Sequence, residues 1–351
     1  MSIYRIYPEQ DTYVDSQPSV GGVYGNAGRD EIIEVGGYVD FDLVGRTKRS
    51  LVQFKTSEIK NVVDNKSLNG IISASLNLRL ANATELPSSY TLNAYPISQS
   101  WVNGLGKGDD EPKNTTGASW KYKDAGSTEW DNLGCDFITS SVSGSVTYGI
   151  YDTHDVDMDV TNIIHQHYSG SLNNYGMLIK ADDTVEFNTT SSILLKYFSR
   201  DTNTVYKPYL EFKWDDSSTT GGLTELSTDI ATIGLKNAKE KYTDSDEVRI
   251  RLSARPKYPT RTFTTSSIYL TEYRLPTASY WGIKDETTGE MVIDFDTSFT
   301  KVSADGTSSY FDIHMTSLEP ERYYRVLVKT TVNDNTIVVD NKNIFKVTKH
   351  G

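Results

Sequence analysis

Residues 155–214 read DVDMDVTNIIHQHYSGSLNNYGMLIKADDTVEFNTTSSILLKYFSRDTNTVYKPYLEFKW, a stretch in which short apolar runs are separated by polar turns. It opens on an acidic strand that ends at Asp159, and an amphipathic helix follows. Apolar side chains recur near the helical period at Val160, Ile163, Ile164 and Tyr168. Asp159 or Thr161 can cap this helix. Later apolar runs at 177–179, 193–199 and 208–213 predict strands, so the stretch predicts short strands around one short helix.

Residues 72–80 alternate apolar and polar side chains without a break. The apolar members, which we expect on one face, are Ile72, Ala74, Leu76, Leu78 and Leu80. A period of two is typical of a strand with one buried face, as in a β-sandwich.

Length and composition predict two all-β domains. The chain has 351 residues, which is more than one average domain. Its short apolar runs and abundant polar turn residues favour strands over helices. Residues 216–227 (DSSTTGGLTELS) have the composition of a linker. We therefore expect a first domain at 1–215 and a second at 228–351.

The second domain is predicted to be another sandwich, because its nine apolar positions and runs predict seven or so short strands. These runs lie at 248–252, 263, 268–270, 280–283, 291–295, 310–314, 323–329, 337–339 and 344–347.

The segment LEPERYYRV, residues 318–326, carries a further signal for this domain. Its Leu318, Pro320 and Tyr324 have an L-x-P-x-x-x-Y spacing that is similar to that of fibronectin type III and related immunoglobulin-like domains. The resemblance implies a corner in which the Tyr324 hydroxyl bonds back to upstream backbone. The alternative is an ordinary tight turn before a strand.

Several short motifs in residues 1–215 resemble, in order and spacing, the DNRLRE-type β-sandwich domain. They are YPEQDTYVDSQPS (7–19), ISASLNLRL (72–80), YPISQSW (95–101) and, within 155–214, DVT, NYG, FSRD and PYLEF. The chain has Arg200-Asp201 where that family usually has Arg-Glu. The resemblance implies a jelly-roll-like sandwich related to carbohydrate-binding modules, a group that often carries a structural calcium ion.

Net charge, cysteine count and the distribution of apolar residues limit the classes of partner that we expect for this chain. The net charge of −12 argues against an electrostatic grip on nucleic acid or on anionic membranes. The single cysteine, Cys135, allows no intrachain disulfide. The first ten residues lack the pattern of a secretory signal, and no run of 18 apolar residues is present.

Aromatic side chains supply one candidate binding site. Trp101, Trp120, Tyr122 and Trp130 flank a long polar loop at 103–119, which we expect to protrude or to contact another subunit. Such rings stack on the apolar faces of sugars. The alternative is that the tryptophans pack one end of the sandwich.

Acidic side chains supply a candidate cation site. Asp155, Asp157 and Asp159 project from one face of a strand and can give calcium two or three of its oxygen ligands. Their spacing is not that of an EF-hand, and the alternative is a solvated acidic strand. His165 and His167 would point about 200° apart on a helix, so they cannot share a metal there.

No catalytic pattern stands out, because Gly-x-Ser-x-Gly is absent and no pair of carboxylates is distinguished. We therefore expect a non-enzymatic protein without a cofactor, apart from the calcium ion considered above.

Consecutive sandwich modules without a secretory signal resemble the accessory proteins of tailed-phage particles. That resemblance implies a head, neck, tail, baseplate or fibre protein whose partners are other virion proteins and copies of itself. It would be made in the host cytoplasm and end in the virion. The alternative is an extracellular carbohydrate-binding protein that recognises a cell-surface glycan.

Overall fold

The computed structural model describes residues 2–66, 73–124, 126–140, 142–260 and 271–350, and it is all-β, as predicted. The chain divides into two compact units. We call Arg5–Phe212 the first unit, and Met1–Tyr4 together with Lys213–Gly351 the second unit. The division falls inside two strands, β1 (Ser2–Ile6) and β12 (Tyr209–Trp214).

Two antiparallel sheets form the sandwich to which residues 5–212 belong. Besides β1 and β12, its strands are β2 (Gln10–Asp15), β3 (Ile32–Val39), β4 (Gly45–Gln53), β5 (Ser73–Leu78), β6 (Leu80–Thr84), β7 (Ser89–Pro96), β8 (Gly144–Gly149), β9 (Val156–Asp159), β10 (Met177–Ala181) and β11 (Ile193–Phe198). One sheet has the order β1-β12-β5-β9. The other has the order β6-β11-β3-β4-β10-β7-β8, with β2 paired to β4. The jelly-roll assignment of this sandwich stays a prediction.

The helices of the first unit are α1 (Thr56–Asn61), continued by a π-helical turn at Val62–Lys66, α2 (Thr161–Ser169) and α3 (Asp183–Glu186). Helix α2 is the one predicted from residues 155–214. Its N-cap residue is Val160, and the carboxylate of Asp159 accepts a bond from the Thr161 amide at 2.9 Å. The helix ends at Gly170, which adopts a left-handed φ of 76° that suits glycine.

The alternation predicted for residues 72–80 is confirmed over the part that is described. Ala74, Leu76 and Leu78 of β5 are buried, whereas Leu80 is half-buried and begins β6. Ile72 lies outside the described residues. The buried face of β5 therefore contributes a row of apolar side chains to the core.

Ten strands form the sandwich of the described part of the second unit. They are β13 (Ala231–Leu235), β14 (Lys241–Thr243), β15 (Glu247–Pro256), β16 (Ser279–Asp285), β17 (Met291–Ile293), β18 (Ser303–Ala304), β19 (Ser309–His314), β20 (Tyr323–Val332), β21 (Asn335–Val339) and β22 (Ile344–Thr348). A short 3₁₀ turn at Met315–Ser317 follows β19. The predicted strand positions 263 and 268–270 lie outside the described residues.

The sheet orders of the second unit are β13-β15-β19-β18 and β14-β22-β20-β16-β17, with β21 paired to β20. In these orders β13, β15, β19 and β18 lie as strands A, B, E and D do in immunoglobulin-like domains, and β22, β20 and β16 lie as G, F and C do. The immunoglobulin-like assignment itself stays a prediction. Its core includes the stacked rings of Trp281 and Phe311, whose centroids lie 5.1 Å apart. Residues 216–227, the predicted linker, run along this unit: Leu226 is buried, and its amide donates to the Arg274 carbonyl at 2.9 Å.

Candidate functional site

Two of the four aromatic residues predicted to form a sugar platform are buried. Trp101 and Trp130 belong to one apolar cluster with Cys135 and Leu178. The indole nitrogen of Trp101 donates to the Tyr175 carbonyl at 2.8 Å, and that of Trp130 to the Ser119 carbonyl at 3.0 Å. Neither ring offers a free face, so the prediction of an exposed platform is wrong for these two tryptophans. Burial also raises the pKa of the Cys135 thiol.

The other two aromatic residues, Trp120 and Tyr122, are half-buried. The guanidinium of Arg49 lies 5.2 Å from the centroid of the Trp120 ring, and the ammonium of Lys121 lies 5.2 Å from that of Tyr122. Trp120 also packs closely on Gly134, where a Cβ would lie 2.6 Å from the ring. These contacts position both rings by cation–π attraction and packing, and they leave only part of each ring for a ligand.

Arg49 belongs to a buried ion-pair network behind Trp120. Its Nε donates to Glu186 Oε1 at 2.5 Å, and Lys180 Nζ lies 2.9 Å from Glu186 Oε2. The side chain of Glu186 is fully buried, and Asp183 pairs with Lys180 from the solvent side at 2.7 Å. One buried carboxylate thus compensates two cations, a structural arrangement that holds α3 against β4 and β10.

The long loop at 103–119 is pinned to the sandwich by Asn26, which is fully buried. The Asn26 amide donates to the carbonyls of Asn103 and Ala118, at 2.8 Å each, and its oxygen accepts from the Gly106 amide at 2.9 Å. Gly28 lies so close to the Asn103 carbonyl that a Cβ would be 1.9 Å from that oxygen. The expectation that this loop protrudes is therefore wrong over the segment that Asn26 holds.

The predicted cation ligands do not converge: Asp157 and Asp159 lie in β9, and half-buried Asp155 precedes it. Asp157 and Asp159 are exposed, Asp155 accepts from the Leu80 amide at 2.7 Å, and Asp155 also pairs with Arg79 at 3.0 Å. In the described ranges, no three His, Cys, Asp or Glu side chains are placed to hold a metal ion. Calcium binding by this strand stays a prediction, and a solvated acidic strand accounts for the same contacts.

The histidines of α2 point in opposite directions, as the helical spacing predicts. His165 is exposed, whereas His167 is buried and its Nε2 has no hydrogen-bond partner among the described residues. Burial lowers the pKa of His167 to about 4. The sequence favoured Tyr168 for the buried face, but Tyr168 donates from its hydroxyl to Asp64 at 2.7 Å instead.

The corner motif has the geometry that its resemblance implies. Leu318 and Tyr324 are buried, and the Tyr324 hydroxyl donates to the Glu319 carbonyl at 2.8 Å, across half-buried Pro320. Burial is the main cause that raises the pKa of Tyr324 above its usual range. The bond ties the start of β20 to the preceding turn.

The sequence did not indicate one exposed apolar feature of the first unit, the turn between β3 and β4. Strand β3 ends at Val39, β4 begins at Gly45, and the turn covers residues 40–44. Phe41 is 105% exposed, Leu43 82% and Val44 43%. We call residues 40–44 the apolar tip. The available signal was a short run in which Phe41 lies between Asp40 and Asp42 and two aliphatic residues, Leu43 and Val44, follow.

The side chain of Asp40 fixes the backbone of the apolar tip. Its Oδ1 accepts from the Asp42 and Val44 amides at 3.0 and 2.9 Å, and its Oδ2 accepts from Arg46 Nε at 2.7 Å. The Val44 amide and the Arg46 guanidinium hold the pKa of Asp40 below its usual value. Phe41 and Leu43 therefore project from a preformed turn, which reduces the ordering cost of a contact made there.

Comparison with known proteins does not assign a family. No protein-family model matches the chain, and no curated protein matches it. Among solved structures, it is similar to a DUF4785 family protein from Legionella pneumophila subsp. pneumophila str. Philadelphia 1, with 9% identity and a TM-score of 0.20 over 98% of this chain and 66% of that one. It is also similar to a putative beta-galactosidase from Bacteroides fragilis, with 8% identity and a TM-score of 0.18 over 97% of this chain and 41% of that one. These values carry no argument about fold or function.

No helix within the described ranges is both long and apolar enough to cross a membrane.

Proposed function

We propose that this chain is a non-enzymatic structural protein of a tailed-phage particle, and that it makes assembly contacts with other particle proteins. The observation that carries the proposal is the apolar tip. Phe41 and Leu43 lie almost wholly in water on a turn that Asp40 holds rigid. Clustered exposed apolar side chains on a soluble protein typically mark a protein contact.

The surroundings of the apolar tip support a protein partner. Thr47 lies at the base of the hairpin and donates from its hydroxyl to the Glu186 carbonyl at 3.0 Å. Phe187, which follows Glu186 in the chain, is 60% exposed. Anchors of this kind, a Phe and a Leu beside polar residues, resemble the apolar core and polar rim of protein interfaces. The phage context itself rests on the resemblance of residues 1–215 to sandwich modules and on the Tyr324 corner.

Carbohydrate recognition is the less favoured function. It requires exposed rings on which a sugar can stack. Trp101 and Trp130 are buried, and Trp120 and Tyr122 are half-buried beside Arg49 and Lys121.

The test is labelling of intact particles. Antibodies raised against the purified chain are applied to particles that the source cells release on lysis, and bound gold is located by electron microscopy. We expect labels at one repeated position on each particle. Labels on no particle, with the chain recovered only from the soluble fraction, would overturn the proposal.

A further inference from the structure

We draw no further inference here: the strongest candidate, the cleft of about 570 Å³ between the two sheets of the second unit, has a rim whose lysines are matched by acidic residues, and nothing in the structure shows what covers its apolar floor.

Discussion

The Tyr324 hydroxyl donates a hydrogen bond to the carbonyl oxygen of Glu319, five residues earlier, at 2.8 Å. The Tyr324 ring is buried and lies 5.9 Å from the ring of Phe345 in the neighbouring strand. One side chain therefore joins the turn before β20 to the core between the sheets.

Tyr324→Phe keeps the ring and removes the hydroxyl, so it leaves the Glu319 carbonyl without this donor. We expect the free energy of unfolding to fall by about 1 to 2 kcal/mol. Urea denaturation measures this, and Tyr323→Phe, which changes a neighbouring tyrosine that is 50% exposed, is the control. Equal losses in the two variants would contradict the role of the bond.

Asn26→Ala removes the amide that pins the loop at 103–119. The carbonyls of Asn103 and Ala118 and the amide of Gly106 lose their side-chain partner. We expect a loss of about 3 kcal/mol, since each buried unsatisfied group costs about 1 to 3 kcal/mol and the loop relaxes in part. Hydrogen exchange at Gly106 should accelerate as well. Exposed Asn203→Ala is the control, and unchanged exchange at Gly106 would argue against the pin.

Glu186→Gln leaves Arg49 and Lys180 without their shared buried carboxylate. We expect a loss of about 3 to 5 kcal/mol in the free energy of unfolding, because an uncompensated buried charge is costly. The matched control is Asp183→Asn, which removes the other carboxylate that pairs with Lys180. The Asp183 side chain is 76% exposed. That control should cost at most about 1 kcal/mol. Similar losses of unfolding free energy in the two variants would contradict the claim that the cost arises from the burial of Glu186.

His167 makes stability depend on pH in a predictable direction. Burial lowers its pKa from 6.5 to about 4, so protonation favours the unfolded chain. The stability that neutral His167 contributes is fully present above pH 6.5 and is lost as the pH falls towards 4. At pH 5 the loss in the free energy of unfolding is about 2 kcal/mol. His167→Leu should remove this part of the slope between pH 7 and pH 5 in urea denaturation. Exposed His165→Leu should keep it, and identical slopes in all three proteins would contradict the assignment.

Features set by neighbouring residues could be predicted from the sequence. The alternation that buries Leu76 and Leu78 and the spacing that places Tyr324 at a corner are both local patterns. Helix α2 was predicted as well, and Val160, Ile163 and Ile164 are buried as its periodicity predicts. The last buried position is His167 and not Tyr168. Neighbouring positions on a helix lie about 100° apart, and both of these lie near the edge of the apolar face.

Features set by distant partners could not be predicted. Trp101 and Trp130 are buried in an apolar cluster that includes Leu51 and Leu178, and Tyr175 and Ser119 accept their indole hydrogens. The local sequence around each tryptophan does not show which residues will pack on it. Phe41 and Leu43 have the composition of strand residues, and only the bonds from Asp40 to the turn amides show that the strand has already ended.

The most direct test of the assembly contact is co-sedimentation of the purified chain with particles that were assembled without it. Wild type and Tyr151→Ser, a control at a side chain that is 97% exposed elsewhere in the first unit, should sediment with the particles. Phe41→Ser with Leu43→Ser should stay in the supernatant while keeping its fold by circular dichroism. Sedimentation of this double variant at the wild-type level, or no sedimentation of the wild type, would contradict the claim that the apolar tip makes the assembly contact.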